Sequence, residues 1–319
     1  MRCGLVRLAS AISLLVVYLA TGCDGLGSSA AESGDLEKTK IKIGVLPIID
    51  TAPVYVGIKK GVFAAEGLTV EPVMLEQSTE ALPMLKEGKL DFAFGNYVNY
   101  FMAHADGSAK LRVQAEGYQS KPGVFVIVTM PNSPIRSPRD LAGKTLAVNI
   151  KDNISTLTTN EVIKTEGVDP GSLRYTEIPF PELEPALQNG SIDAAFMVEP
   201  FTSHAQQELG ARVVMDNATG PTADFPIGGY FSTEKFAKQN PKTSAAFRRA
   251  MQRAQALAAE RRNVEEVLPT YAKIDRKTAS TITIGAFPTS LNLTRLQRVA
   301  DLMHRQGLLK EKLDLQTMR

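Results

Sequence analysis

The chain has 319 residues, of which 44% are hydrophobic and 22% are charged. This composition predicts a packed core in one large or two ordinary domains and excludes a wholly disordered chain. The 36 basic residues nearly balance the 34 acidic ones, so binding to a nucleic acid or another polyanion is not expected.

The first 22 residues have the layout of a secretory signal. Arg2 and Arg7 begin it, residues 8–20 carry no charge, and two small residues then precede Cys23. The uncharged stretch is too short to span a bilayer comfortably. The segment resembles a bacterial lipoprotein signal, which implies cleavage before Cys23 and lipidation of its sulfur. The alternative is an ordinary secretory signal followed by an incidental cysteine.

Cleavage at this point changes both the charge and the thiol content of the mature chain. It removes Arg2 and Arg7 and no acid, which leaves 34 basic against 34 acidic residues. Cys3 leaves with the signal and Cys23 is consumed by lipid, so no thiol remains for a disulfide, a metal or catalysis. Residues 23–39 predict a flexible tether. The lipid would hold the protein on the extracytoplasmic face of the cell membrane.

Strand and helix patterns alternate from residue 40 onward. Strands are predicted at 40–46, 68–73 and 90–94, with one helix running from Pro53 to about Gly67 and another at 79–86. Further along, strands at 144–149, 173–178 and 192–196 and helices at 155–167 and 181–188 repeat the same plan.

Two segments match most closely, residues 85–94 and 187–196. Each has Leu, then Gly three residues later, then Leu or Ile followed by Asp, and then Ala and Phe. Gly88 and Gly190 are predicted to end helices, because a left-handed conformation costs glycine least.

Strands that alternate with helices indicate parallel sheets. We therefore predict an α/β fold with parallel-dominated sheets in two lobes around a hinged cleft. Lobe I is predicted at 40–124 plus 228–319 and lobe II at 125–227, since apolar segments at 123–129 and 228–231 read as crossovers. The alternative is one continuous sheet with a duplicated motif. An apolar stripe at helical spacing from Ala246 to Ala258 predicts a core-facing helix without a ligand role.

The order and spacing of several segments resemble those of the solute-binding proteins of nitrate, sulfonate and taurine ABC importers and the related thiamine-pyrimidine-precursor group. The resemblance implies the two-lobed type II periplasmic-binding fold, a hinged cleft, and delivery of a small solute to an ABC permease and its ATPase. It does not fix the solute. The segments are 46–55, 61–70, 88–93, 137–148 and 193–201, the last reading Asp193-Ala194-Ala195-Phe196-Met197-Val198-Glu199-Pro200-Phe201.

Ligands of open α/β sheets bind beyond the carboxyl ends of the strands. In lobe I this rule selects polar and aromatic residues after the first and third strands and before the crossover: Asp50, Thr51, Asn96, Tyr97 and Tyr118. The alternative for Asp50 is a cap on the helix that starts at Pro53. The alternative for the aromatic rings is simple packing.

In lobe II the same rule selects residues around the predicted helix at 155 and after the strand at 192–196. These candidates are Asn149, Asn153, Ile154, Ser155, Thr156 and Glu199, and the alternative for Glu199 is to anchor a hinge through hydrogen bonds. Phe225 is a further candidate because it lies near the return crossover, where it could close the cleft. Free N–H groups at a helix start suit a ligand oxygen. Asn153, Ser155 and Thr156 have helix capping as their alternative role.

The presumed mouth of the cleft carries more acids than bases. Asp50, Asp152, Glu199 and Asp224 stand against Lys151 alone. A desolvated carboxylate disfavours an anion at close range, which favours a neutral or cationic nitrogen-containing ligand over sulfonate or nitrate. The alternative is that several of these acids face solvent or form structural ion pairs.

We expect a monomeric binding protein that is not an enzyme and uses neither cofactor nor metal. His104, His204 and His304 are too widely spaced for a local metal motif, and no nucleophile elbow or phosphate loop stands out. Two other functions stay open: an enzyme resembling the pyrimidine synthase of the same fold, and a ligand-binding sensor component.

Overall fold

The computed structural model describes residues 35–319. The predicted signal, Cys23 and the first part of the tether lie outside these residues. In the described part, no helix combines the length and the apolar character needed to cross a bilayer.

Within residues 35–319, ten strands form two five-stranded sheets. They are β1 Lys40–Val45, β2 Thr69–Met74, β3 Phe92–Asn96, β4 Leu111–Gln119, β5 Val126–Thr129, β6 Thr145–Val148, β7 Arg174–Glu177, β8 Ala194–Met197, β9 Arg212–Asp216 and β10 Pro226–Thr233. The first sheet has the order β2-β1-β3-β10-β4 and the second has the order β7-β6-β8-β5-β9. The two orders are equivalent, which places the duplicated motif in two separate sheets.

Four of the five strands in each sheet run in one direction. β1 pairs in parallel with β2 and β3, and β6 pairs in parallel with β7 and β8. The exceptions are β10 and β5, each antiparallel to both of its neighbours. In each sheet the reversed strand is the one that arrives from the other sheet. The α/β fold class is confirmed, with mixed sheets whose strands are mostly codirectional.

In the described part of the chain, twelve α-helices cover these sheets and form the tail. They are α1 Ala52–Lys59, α2 Val62–Ala65, α3 Ala81–Lys86, α4 Tyr97–Ala105, α5 Ile154–Thr165, α6 Phe180–Gln188, α7 Phe201–Leu209, α8 Glu234–Gln239, α9 Pro241–Ala258, α10 Arg261–Tyr271, α11 Arg276–Thr281 and α12 Leu293–Arg305. The prediction of one helix from Pro53 to about Gly67 is wrong. Gly61 has a φ of 71° and separates α1 from α2, because a left-handed residue interrupts the helical ladder.

The duplicated motif performs the same task in both sheets. Its aspartate lies just before the third strand and accepts a hydrogen bond from the backbone of the neighbouring strand. Asp91 accepts from the N–H of Lys42 at 2.9 Å, and Asp193 accepts from the N–H of Thr145 at 2.7 Å. The motif therefore joins β3 to β1 in one sheet and β8 to β6 in the other.

The apolar stripe of the tail lies on α9 and packs against the first sheet. Phe247, Ala250, Met251 and Ala254 are fully buried. The ring of Phe247 stacks on that of Phe92 in β3, with centroids 3.8 Å apart. The predicted core-facing helix is confirmed.

Gly95 in β3 leaves room for a buried ring, so Gly95→Ala is expected to destabilise the fold by at least about 1 kcal/mol. An added Cβ would lie 2.0 Å from Cε2 of Tyr100, and that ring is fully buried against Phe231, at a centroid distance of 4.3 Å. Urea denaturation measures the effect. Gly171→Ala is the control, since its Cβ would be no closer than 3.4 Å to a neighbour. Equal midpoints for the two variants would contradict the prediction.

Candidate functional site

A cavity of about 980 Å³ opens at the carboxyl ends of strands from both sheets. The loops that follow β1, β2, β6, β7 and β8 all contribute to its wall, as does the segment after α10. This is the position at which open α/β sheets bind ligands. The lining residues fall at 46–48, 74–78, 149, 179–182, 184–185, 188, 200–201, 204, 208–209 and 271–274.

Aromatic rings form part of the cavity wall. Phe180 and Phe201 stack with their centroids 5.3 Å apart. Tyr271 stacks on Tyr55 at 3.9 Å, and its hydroxyl donates to the carbonyl of Ile48 at 3.1 Å. Tyr271 thus fixes the loop that follows β1 and offers a ring to the cavity.

The charged side chains of the wall are mostly acidic. His204 is within 2.8 Å of the Glu184 carboxylate through its Nδ1 atom. The other charged lining residues are exposed to the cavity and comprise three further glutamates and one lysine, namely Glu76, Glu182, Glu208 and Lys273.

Asp50 lies in the turn Ile49–Thr51, directly after the cavity-lining residues that follow β1, and is only 4% exposed. Among the described residues, no other residue donates a hydrogen bond to its carboxylate, so it does not cap α1. Burial raises the pKa of Asp50 to about 7, because desolvation disfavours the charged form.

Three buried tyrosines are close enough to Asp50 for its charge to act on them. Burial raises the pKa of Tyr118, Tyr230 and Tyr271 well above the usual value, and the nearby charge of Asp50 raises each further. The buried hydroxyl of Tyr230 has no hydrogen-bond partner within residues 35–319. Asp50 therefore lies near buried phenol groups, one of which, that of Tyr271, belongs to a residue of the cavity wall.

Glu199 connects three parts of the chain. Its carboxylate accepts from the N–H of Ser203 at 3.2 Å, the hydroxyl of Ser203 at 2.9 Å and the N–H of Thr283 at 2.8 Å. Its carbonyl accepts from the N–H of Ile49 at 3.4 Å. Burial raises the pKa of Glu199. The residue ties α7 to the loop after β1 and to the segment after α11.

Thr51 and Asn96 lie directly behind the cavity wall. The Thr51 hydroxyl donates to the carbonyls of Leu46 at 2.7 Å and Ile48 at 3.1 Å. Asn96 donates to the hydroxyl of Ser78 at 3.3 Å and caps α4. Both predicted residues shape lining loops without facing the cavity themselves.

The predicted segment at the start of α5 divides into one lining residue and a cap. Asn149 lines the cavity. Asn153 and Thr156 form a capping box, in which the Thr156 hydroxyl accepts from the N–H of Asn153 at 3.1 Å. Ile154 is buried, and the Ser155 hydroxyl donates to the carbonyl of Ile150 at 3.2 Å. The capping alternative describes Asn153 and Thr156 in this structure.

Because Asn153 caps α5, Asn153→Ala is expected to lower the free energy of unfolding by about 1 kcal/mol. Chemical denaturation followed by circular dichroism measures this loss. Asn132→Ala, at an exposed loop position, is the matched control and should change stability by less than about 0.5 kcal/mol. The same small change in both variants would show that the cap contributes nothing measurable.

The predicted aromatic candidates pack inside the protein. The Tyr97 ring packs on Phe101 at 5.4 Å, and both are fully buried. The Tyr118 hydroxyl accepts from the N–H of Gly285 at 2.5 Å. Phe225 is 2% exposed. These rings do not line the cavity.

The acids predicted at the mouth separate into two groups. Asp50 and Glu199 are buried near the cavity. Asp152 is exposed, and Asp224 accepts from Lys121 at 2.5 Å with 56% of its side chain exposed. The structural alternative therefore holds for Asp152 and Asp224.

Sequence reasoning missed most of the wall. The rule of carboxyl-terminal loops also covers those after β2 and β7, and applying it there would have selected Glu76, Phe180 and Glu182. Nothing in the local pattern marks the segment at 271–274, which reaches the cavity only through the path of α10. Within residues 35–319, no three His, Cys, Asp or Glu side chains are arranged to hold a metal ion.

Comparisons with known proteins agree with this geometry. The family model described as NMT1/THI5 like matches residues 48–263. A Bacillus subtilis protein named for binding aliphatic sulfonates is 23% identical, with 95% of this chain and 92% of that protein aligned. A ligand-binding component of an ABC-type import system from Staphylococcus aureus, solved with zinc bound, has a TM-score of 0.75 at 16% identity, covering 88% of this chain and 96% of that one. The desulfurization enzyme DSZB has a TM-score of 0.68 at 14% identity, covering 88% and 96%.

Proposed function

This chain belongs to the NMT1/THI5-like family, and on that premise we propose that it is the extracytoplasmic solute-binding protein of an ABC importer. Its cargo is a small nitrogen- or sulfur-containing organic solute. The observation that carries the proposal is the cavity of about 980 Å³ at the carboxyl ends of both sheets. Its volume and aromatic wall suit a small organic molecule.

Transport requires a solute to enter and leave a site that two lobes enclose. We take lobe I as 40–124 plus 228–319 and lobe II as 125–227. Both lobes contribute to the wall, so a change in their separation opens or closes the cavity. Glu199 is placed to act at the hinge, since it bonds to Thr283 and Ile49 from the start of α7. The permease and its ATPase would then receive the solute from the closed form.

Lipidation of Cys23 belongs to the proposal and explains how the protein stays near its permease. A diacylglycerol on this cysteine would retain the monomeric protein on the extracytoplasmic face of the cell membrane. Cell fractionation tests this directly. Wild-type protein should sediment with the membrane fraction. Mass spectrometry should find lipid on the wild type and none on Cys23→Ser. A lipid-free wild-type N-terminus would overturn this part alone.

The central test is calorimetric titration and thermal shift of the purified protein with nitrate, ethanesulfonate, pyrimidines and amines. A solute that binds only the folded state raises the melting temperature. Phe201→Ala removes part of the aromatic wall and should weaken binding about five- to tenfold. Val213→Ala, at a half-exposed position of β9, is the control and should bind normally.

Binding without chemical change distinguishes this proposal from catalysis on the same fold, which DSZB exemplifies. The bound solute should be recovered unchanged after prolonged incubation, as judged by mass spectrometry. Stoichiometric binding with an intact solute supports the importer role. Turnover of the solute, or no binding across the panel, would contradict it.

A further inference from the structure

The cavity is electrostatically matched to a positive charge. From the charge of its lining, its aromatic wall and a buried carboxylate behind that wall, we propose that the solute is an organic cation, a protonated amine or quaternary ammonium, with Asp50 as a buried counter-charge behind the lining residues. This inference rests on the proposed function and names the charge class of its solute.

The first observation is the balance of charge in the wall. Glu76, Glu182, Glu184 and Glu208 line the cavity, against the bases Lys273 and His204, of which His204 contacts Glu184. Like-signed charges around one cleft with low-dielectric walls sum to a field that attracts the opposite charge. The wall therefore concentrates cations at the entrance and repels sulfonates and nitrate.

The second observation is independent of the glutamates in the wall and concerns a residue in the protein interior. Asp50 is 4% exposed, and within residues 35–319 it has neither a salt-bridge partner nor a hydrogen bond from another residue. It lies behind the lining, directly after the lining residue Ile48 in the chain. Burying a carboxylate without a cation nearby is costly, and a positive charge in the adjacent cavity would reduce that cost.

The third observation is the chemistry of the remaining wall. Phe180, Phe201 and Tyr271 supply aromatic rings, whose faces attract ammonium groups. No arginine occurs among the lining residues of the described chain. The planar, two-pronged donor that suits sulfonate or carboxylate is thus missing from this wall.

The proposed charge preference differs from that implied by the name of the Bacillus subtilis relative. The Bacillus subtilis protein is named for aliphatic sulfonates, which are anions, whereas the cavity here favours the opposite charge. Fold and charge selectivity are separate properties, because the two sheets fix where the solute lies and the lining side chains fix which charge is stabilised there.

Three probes of similar size and different charge test the inference. The purified protein is titrated with benzylammonium, benzyl alcohol and benzenesulfonate at low and at moderate salt. Benzylammonium is expected to bind at least about tenfold more tightly than benzenesulfonate. Its affinity should fall as salt rises, because ions screen the exposed glutamates.

Substitutions then show which carboxylates contribute to binding of the cation. Asp50→Asn should weaken benzylammonium binding about ten- to a hundredfold, while leaving benzyl alcohol nearly unchanged. Glu182→Gln, at an exposed wall position, should weaken it about two- to fivefold and does not depend on tolerance of a buried change. Glu311→Gln is the control, since Glu311 is exposed and lies outside the cavity.

The outcomes distinguish failure of the cation preference from failure of the importer role. Preference for benzenesulfonate, ethanesulfonate or nitrate over the cation overturns the inference and leaves the importer role standing. Equal affinities in wild type, Asp50→Asn and Glu182→Gln also overturn it. Failure of all these probes and of a pyrimidine panel to bind overturns the inference and the proposed function together.

Discussion

Replacing Glu199 with alanine is expected to lower the free energy of unfolding by about 2–4 kcal/mol. The change leaves the Ser203 N–H, the Ser203 hydroxyl and the Thr283 N–H without their acceptor. Glu199 itself is 2% exposed, so water cannot readily replace it. Unsatisfied buried donors cost more than the net value of the bonds they once made.

Ser203→Ala is the matched comparison for this prediction. It removes only one of the three donors and should cost about 1 kcal/mol. Urea denaturation followed by far-ultraviolet circular dichroism gives both values. If Glu199→Ala loses no more stability than Ser203→Ala, Glu199 is not the anchor between α7 and the segment after α11.

Replacing Asp50 with asparagine is expected to stabilise the solute-free protein at pH 8 by on the order of 2–4 kcal/mol. Burial raises the pKa of Asp50 from 3.8 to about 7. Between about pH 4 and pH 7 the folded state therefore holds a proton that the unfolded state has lost. Folding stability falls as pH rises through this window, and asparagine, which cannot ionise, escapes the loss.

Denaturation of both proteins at pH 5 and pH 8 measures this difference. The wild type should lose more stability than Asp50→Asn on going from pH 5 to pH 8. Burial also raises the pKa of Glu199, so a slope of the same sign remains in the variant. If wild type and variant lose the same stability between pH 5 and pH 8, ionisation of Asp50 does not destabilise the folded state. If the solute is a cation, as proposed, the buried charge of Asp50 lowers the stability of the solute-free protein and stabilises the bound form.

Local rules were sufficient for most of the fold. The paired segments at 85–94 and 187–196 showed two equivalent units because the same residues must end a helix and start a strand in each. Asp91 and Asp193 confirm the equivalence through hydrogen bonds to the adjacent strand. The helix after Pro53 was overextended, since the pattern of apolar residues continues through the left-handed Gly61.

The candidate site was harder to predict because the same type of polar residue can either cap a helix or line the cavity. Asn153 and Thr156 occupy the right loop, but their polar atoms satisfy the first turn of α5. Asn149, a few residues earlier, reaches the cavity. The choice between these roles depends on which way the loop turns, and that is set by packing between distant segments.

The exchange of strands between the sheets determines the order in which the fold can assemble. β5 comes first among the strands of the second sheet, so residues 126–216 contain that sheet in one continuous stretch. The first sheet has a gap between β3 and β4 until β10 at Pro226–Thr233 is available. Because the chain is synthesised from its N-terminus, the second sheet can form before the inner strand β10 of the first sheet has been made. The first sheet, whose strands begin to be synthesised first, is therefore expected to be completed last.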